Sequence, residues 1–150
     1  MHPVMKTYLV SLGSNENRYE NMSECKQQLC TYFQYIVYSD MLETEPVGRD
    51  FTKMFYNQLA IMHSDQDLSA IKQKLKDIEK RLGRKPTDKP KGIVIMDVDV
   101  LAVNDRIIKP EDFTRPYIYR LLSSFHLSNP LLFNEAYLKA CVNTDIQDRL

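Results

Sequence analysis

The sequence has too few cysteines, histidines and glycines to build several common kinds of functional site. Its three cysteines are an odd number and form no CxxC pair, which argues against a disulfide framework and a structural zinc site. Its three histidines are scattered, and no HExxH motif is present. Its four glycines are too far apart for a GxGxxG or Walker-type loop, so any nucleotide must be bound by another device.

Net charge and long hydrophobic runs are also lacking. Lys plus Arg and Asp plus Glu each number 20, so the formal charge is zero and a global basic field for nucleic acid is absent. No apolar run approaches the ~20 residues that cross a bilayer, and the first residues lack the layout of a signal peptide. We therefore expect a cytoplasmic protein without nucleic-acid or membrane partners. The length of 150 residues predicts a single domain over 1–150.

The spacing of apolar side chains predicts an α+β domain. Strands are expected at 6–12, 34–43, 54–63 and 93–103, with a short return strand at 106–108. Helices are expected at 18–33 and from the polar cluster at 64–67 to Leu82, with weaker signals at 117–124 and 133–141. Ser64 or Asp65 is the expected N-cap of the second helix, and Gly83 its left-handed stop. The order strand, helix, strand, strand, helix, strand predicts a split βαβ arrangement, an antiparallel sheet with two helices on one face.

Residues 85–92 form a segment of different composition, which we call the lysine segment. It contains three lysines, two prolines and one glycine. This composition disfavours regular structure and predicts a mobile, basic loop.

The strand at 93–103 carries the clearest candidate for chemistry. Strand geometry turns Met96, Val98 and Val100 to one face, and it turns Asp97 and Asp99 to the other, about 7 Å apart. Paired carboxylates suit Mg²⁺, which completes its shell with water and substrate phosphates. A solvated polar face is the commoner explanation of a lone DxD. Here, however, the lysine segment and Arg84 lie directly before the pair, and cations beside such a site suit polyphosphate chemistry.

Three segments occur in this order along the chain: SLGSN at 11–15, TEPVG at 44–48 followed by FYN at 55–57, and EKRLGR at 79–84 followed by DVD at 97–99. Taken together, they resemble the 6-hydroxymethyl-7,8-dihydropterin pyrophosphokinase family of folate biosynthesis. The likeness runs from about residue 7 to residue 127. It implies a ferredoxin-like fold and an enzyme that transfers pyrophosphate from ATP to 6-hydroxymethyl-7,8-dihydropterin, releases AMP and uses two Mg²⁺ ions. We expect a monomer.

The resemblance also implies roles for individual residues. Asp97 and Asp99 would bind both metal ions, and Arg84 would act with them in catalysis. Glu79 and Arg84 would lie towards the nucleotide, with Thr114 near its ribose or adenine. The pterin would be held by six residues: Thr44, Pro46, Val47, Phe55, Asn57 and Phe125. Phe55 and Phe125 would cover the faces of the flat ring, and Asn57 would bind its polar edge.

The departures from the family pattern fall on the ATP side. Pro86, Val94, Tyr117 and Ser123 stand where arginines or a histidine would be expected. Loss of several arginine–phosphate contacts would reduce turnover by orders of magnitude. A non-catalytic or weakly active pterin-binding paralogue is therefore the main alternative. A related phosphoryl- or nucleotidyl-transferring enzyme with a changed substrate and a general interaction module also stay open.

Overall fold

Six strands of the computed structural model, which describes residues 4–46 and 53–143, form one antiparallel sheet. The strands are β1 (Lys6–Ser14), β2 (Ile36–Tyr38), β3 (Leu42–Thr44), β4 (Phe55–Ser64), β5 (Asp97–Val103) and β6 (Arg106–Ile107). Their order is β2-β4-β1-β5-β6, and β3 pairs with the first residues of β4, on the same edge as β2. The order matches the ferredoxin-like arrangement that the sequence predicts, with β1 and β4 at its centre.

Four helices cover both faces of this sheet: α1 (Arg18–Tyr32), α2 (Leu68–Arg81), α3 (Pro116–Ser128) and α4 (Glu135–Asn143). The first two pack on the face that carries Val98 and Val100. The other two pack on the opposite face, where Leu59 and Phe125 belong to a second buried cluster. The predicted layer of two helices is present on one face, and α3 and α4 form a second layer on the opposite face. None of the helices in the described part of the chain is long and apolar enough to cross a membrane.

The structure changes two local predictions around β4. The predicted strand at 34–43 is two short strands, β2 and β3, because Ser39 between them bonds to Leu59 through its hydroxyl as well as its backbone. The N-cap of α2 is Asp67, whose carboxylate accepts a 3.0 Å bond from the backbone N–H of Ala70. Ser64 cannot fill that position because β4 extends through it to pair with Lys6.

The lysine segment has more structure than its composition predicts. It contains a 3₁₀ turn at Lys89–Lys91, closed by Gly92 in the left-handed region at φ 76°. Asn15, which is buried at the end of β1, donates from its side chain to the carbonyl of Gly92 and accepts from the N–H of Val94. These bonds attach the end of the lysine segment to the centre of the sheet.

Candidate active site at the end of the central strands

A cleft of about 360 Å³ opens where β1 ends and the neighbouring strands β4 and β5 begin. Gly13 lies in the middle of its floor, paired with Asn57 of β4 on one side and with Asp97 of β5 on the other. A Cβ atom at Gly13 would lie 2.9 Å from Asn57 Oδ1, closer than such contacts allow. Glycine therefore keeps open the space between a polar amide and a carboxylate.

The two aspartates of β5 face the cleft, and each is paired with a cation. Asp97 accepts a 3.0 Å hydrogen bond from Arg84 Nη1, and the ammonium of Lys109 lies 3.3 Å from Asp99 Oδ1. Burial and the nearby charge of Asp97 raise the pKa of Asp99, while Lys109 opposes that shift. The alternation predicted from the sequence is confirmed, since Met96, Val98 and Val100 are buried under the other face.

Glu79 lies behind the cleft and is 8% exposed. Its Oε2 accepts from the backbone N–H of Val98 at 2.7 Å and lies 2.9 Å from Arg84 Nη1. The N–H of Val98 is available because β6 pairs only with Ala102 and Val103. Burial raises the pKa of Glu79 to about 7, although the bonds from Val98 and Arg84 act to lower it. Glu79 thus holds Arg84 in place beneath Asp97 and does not itself line the cleft.

The opposite wall presents an aromatic ring and an oriented amide. Phe55 and Asn57 line it together with Thr44, whose strand pairs with β4 so that Thr44 is opposite Phe55. Asn57 Nδ2 donates to Thr44 Oγ1 at 2.5 Å, which fixes the direction of the amide. Pro46 lies half-buried after β3, and Val47 lies outside the described residues.

Basic side chains line the cleft beside the two aspartates, although the arginines expected from the resemblance are missing. Lys85 and Lys89 come from the lysine segment, while Lys109 and Arg115 come from the loops between β6 and α3. The sequence analysis missed Lys109 and Arg115, as well as Asp112, which lines the cleft near Arg115. Their positions depend on how the chain after β6 returns over the sheet, and no local pattern indicates that path.

The sequence profile of the 7,8-dihydro-6-hydroxymethylpterin-pyrophosphokinase (HPPK) family matches residues 9–128 of the chain. The chain belongs to the HPPK family. Family membership implies pyrophosphoryl transfer in folate biosynthesis, with ATP and a pterin as substrates. No curated protein matches the chain closely enough to add a named relative.

Two residues that the resemblance assigns to HPPK substrates, Thr114 and Phe125, are not among the residues that line the cleft. Phe125 is 1% exposed and belongs to the core beneath α3, so it is not on the cleft wall. Thr114 ends a 3₁₀ turn at Pro110–Thr114 and donates its hydroxyl to the carbonyl of Glu111. Among the positions where the resemblance leads us to expect an arginine or a histidine, Val94 and Tyr117 line the cleft, whereas Ser123 does not.

The donor set suits the magnesium that HPPK enzymes use with ATP. Within the described residues, no group of three or more His, Cys, Asp and Glu side chains is placed to hold a metal ion. Asp97 and Asp99 would therefore supply two carboxylates and leave the other positions to water and phosphate oxygens, as Mg²⁺ commonly requires. The cations now beside these carboxylates mark them as a place where positive charge is favoured.

Proposed function

We propose that the chain transfers the pyrophosphoryl group of MgATP to the hydroxymethyl group of 6-hydroxymethyl-7,8-dihydropterin and releases AMP. The observation that carries this proposal is the pairing of Gly13 with both Asn57 and Asp97. This pairing supports the proposal because it puts an amide that could bind a flat, polar-edged ring beside the carboxylate pair, with only an unsubstituted glycine between them. A binding site for the pterin alone has little use for the two aspartates.

On the pterin side, Phe55 would lie against the ring and Asn57 would bind its polar edge. An aromatic side chain offers a flat apolar surface, and an amide has both a donor and an acceptor to match a heterocycle. The bond to Thr44 holds the amide in one orientation before the substrate arrives, which lowers the entropy lost on binding. Pro46, which follows β3, would complete this side.

On the ATP side, the reaction joins the pterin oxygen to the β-phosphorus and breaks the bond to the α–β bridging oxygen. Asp97 and Asp99 would hold two Mg²⁺ ions, which when bound neutralise the phosphate charge that opposes attack. Arg84 is fixed from behind by Glu79, so it would meet the phosphates without reorganisation. Lys85 and Lys89 would contribute point charges from the lysine segment, although lysine lacks the planar fork of arginine.

The direct test measures AMP and pterin pyrophosphate formed by purified protein from ATP, Mg²⁺ and 6-hydroxymethyl-7,8-dihydropterin. Asp97→Ala should lower the rate about 100-fold or more, the scale for removing one preorganised electrostatic group. Asp105→Ala is the matched control, since Asp105 is an exposed aspartate in the turn between β5 and β6. Circular dichroism and thermal melting would check that both variants are folded.

The alternative of a non-catalytic pterin binder gives a different result in the same experiment. A folded wild-type protein that binds the pterin but forms no AMP would overturn the enzymatic proposal and favour that alternative. Equal rates for wild type and Asp97→Ala would show instead that the aspartate pair is not the centre of the reaction.

A further inference from the structure

Lys109 lies beside the aspartate pair, although none of the sequence motifs predicts a lysine there. It follows β6, and its backbone N–H donates to the carbonyl of Leu101, which anchors this part of the chain to β5. Its side chain is about one-third exposed, and its ammonium lies 3.3 Å from Asp99 Oδ1. Because the backbone of Lys109 is anchored and the charged end of its side chain is partly exposed, the side chain can change partners while its loop stays in place.

The two cations on the aspartate pair are held differently. Arg84 contacts Asp97, Glu79 and the backbone carbonyl of Met96, so it has partners other than the metal-binding carboxylate. Among the described residues, Lys109 forms one ion pair, with Asp99. A planar guanidinium with several partners stays in one orientation, whereas an ammonium on a flexible four-carbon stem can leave.

Binding of a divalent cation at Asp99 would place like charges within a few ångströms of each other. The ammonium of Lys109 and the metal would compete for the same carboxylate oxygen, and their repulsion is strong at that separation. The Lys109 side chain then needs another anion close by. The triphosphate of ATP would lie in the same cleft, where the arginine expected at Val94 is missing.

We propose that Lys109 is the counter-ion of Asp99 in the metal-free protein and moves to the polyphosphate when metal and ATP bind. It would supply part of the positive charge that the absent arginines do not. This inference rests on the proposed function, because it takes Asp97 and Asp99 as the metal ligands. Lys109 thereby opposes binding of metal alone and favours binding of metal with nucleotide.

The test compares Mn²⁺ binding and nucleotide binding in Lys109→Met. Free Mn²⁺ is measured by electron paramagnetic resonance in the absence of nucleotide, and calorimetry measures binding of an α,β-methylene analogue of ATP with Mg²⁺. Removal of the competing ammonium should tighten Mn²⁺ binding by a factor on the order of ten, the scale of one partly screened charge interaction. Affinity for the analogue should fall by a similar factor.

Two further variants make the result specific. Lys109→Arg keeps a positive charge and should change both affinities much less than Lys109→Met does. Lys72→Met removes an exposed lysine from α2 on the other face of the sheet and controls for net charge. Thermal melting checks that each variant is folded.

The opposite effects on the two ligands make the outcomes separable. Unchanged Mn²⁺ affinity in a folded Lys109→Met protein would overturn the counter-ion role, and unchanged analogue affinity would overturn the phosphate role. Absence of Mn²⁺ binding in both the wild type and Lys109→Met, or Mn²⁺ binding that Asp97→Ala leaves unaltered, would overturn the proposed metal site itself.

Discussion

Replacement of Glu79 by glutamine should change how the stability of the protein depends on pH. The carboxylate is buried behind the cleft, and its pKa is about 7 in the folded protein against an ordinary 4.5. This difference corresponds to about 3 kcal/mol of folding free energy. A glutamine oxygen can replace Oε2, which accepts from Val98 and contacts Arg84, so the variant keeps the local geometry without the titration.

The sign of the effect follows from which state binds the proton more tightly. The folded protein holds the proton of Glu79 up to about pH 7, whereas the unfolded chain releases it near 4.5. Stability from this group is therefore full below the lower value and is lost as the pH rises through the higher one. The free energy of unfolding of the wild type, relative to Glu79→Gln, should fall by about 3 kcal/mol across this range.

Urea denaturation of both proteins at several pH values between 4.5 and 8 would measure this difference. Glu24→Gln, which removes an exposed carboxylate from α1, controls for the change in net charge. Comparison of variants removes the contributions of groups that titrate in all three proteins. A difference between wild type and Glu79→Gln that stays level or rises with pH would refute the reasoning, because the bonds from Arg84 and Val98 would then outweigh burial.

Three other substitutions test the walls of the cleft. Asn15→Ala removes the buried amide that holds Gly92, so it should cost about 1–3 kcal/mol in urea denaturation and speed tryptic cleavage in the lysine segment. Unchanged cleavage would show that the bonds of Asn15 do not restrain the lysine segment. Gly13→Ala crowds Asn57 and should weaken pterin binding by roughly tenfold or more in fluorescence titration, and unaltered affinity would place the pterin elsewhere. Phe125→Leu should cost about 1–2 kcal/mol of stability while the folded variant keeps its pterin affinity, whereas a selective loss of affinity would assign Phe125 to the pterin site.

Closure of the lysine segment over nucleotide stays a prediction. Its 3₁₀ turn and the bonds to Asn15 restrain its end, but they leave Lys85 and Lys89 on the cleft. Limited proteolysis with and without an ATP analogue plus pterin would test closure, and equal cleavage in both states would contradict it.

Features that depend on backbone geometry were predictable from the sequence. A strand alternates its side chains, so the run around Asp97 and Asp99 determined that both carboxylates share the face opposite Val98. A helix repeats every three to four residues, and Gly83 ends α2 because it adopts a φ of 102° that other residues rarely accept. The order of these elements was sufficient to predict the α+β class and the split βαβ sheet, which agrees with the ferredoxin-like fold that the resemblance implies.

Features that depend on distant parts of the chain were decided by the tertiary structure. Lys109 meets Asp99 because the chain after β6 returns over the cleft, and Glu79 meets Val98 because β6 is too short to pair there. Phe125 became a core residue because α3 packs on the second face of the sheet. Residue spacing determines which way a side chain points, but its partners and its burial depend on which elements the fold brings together.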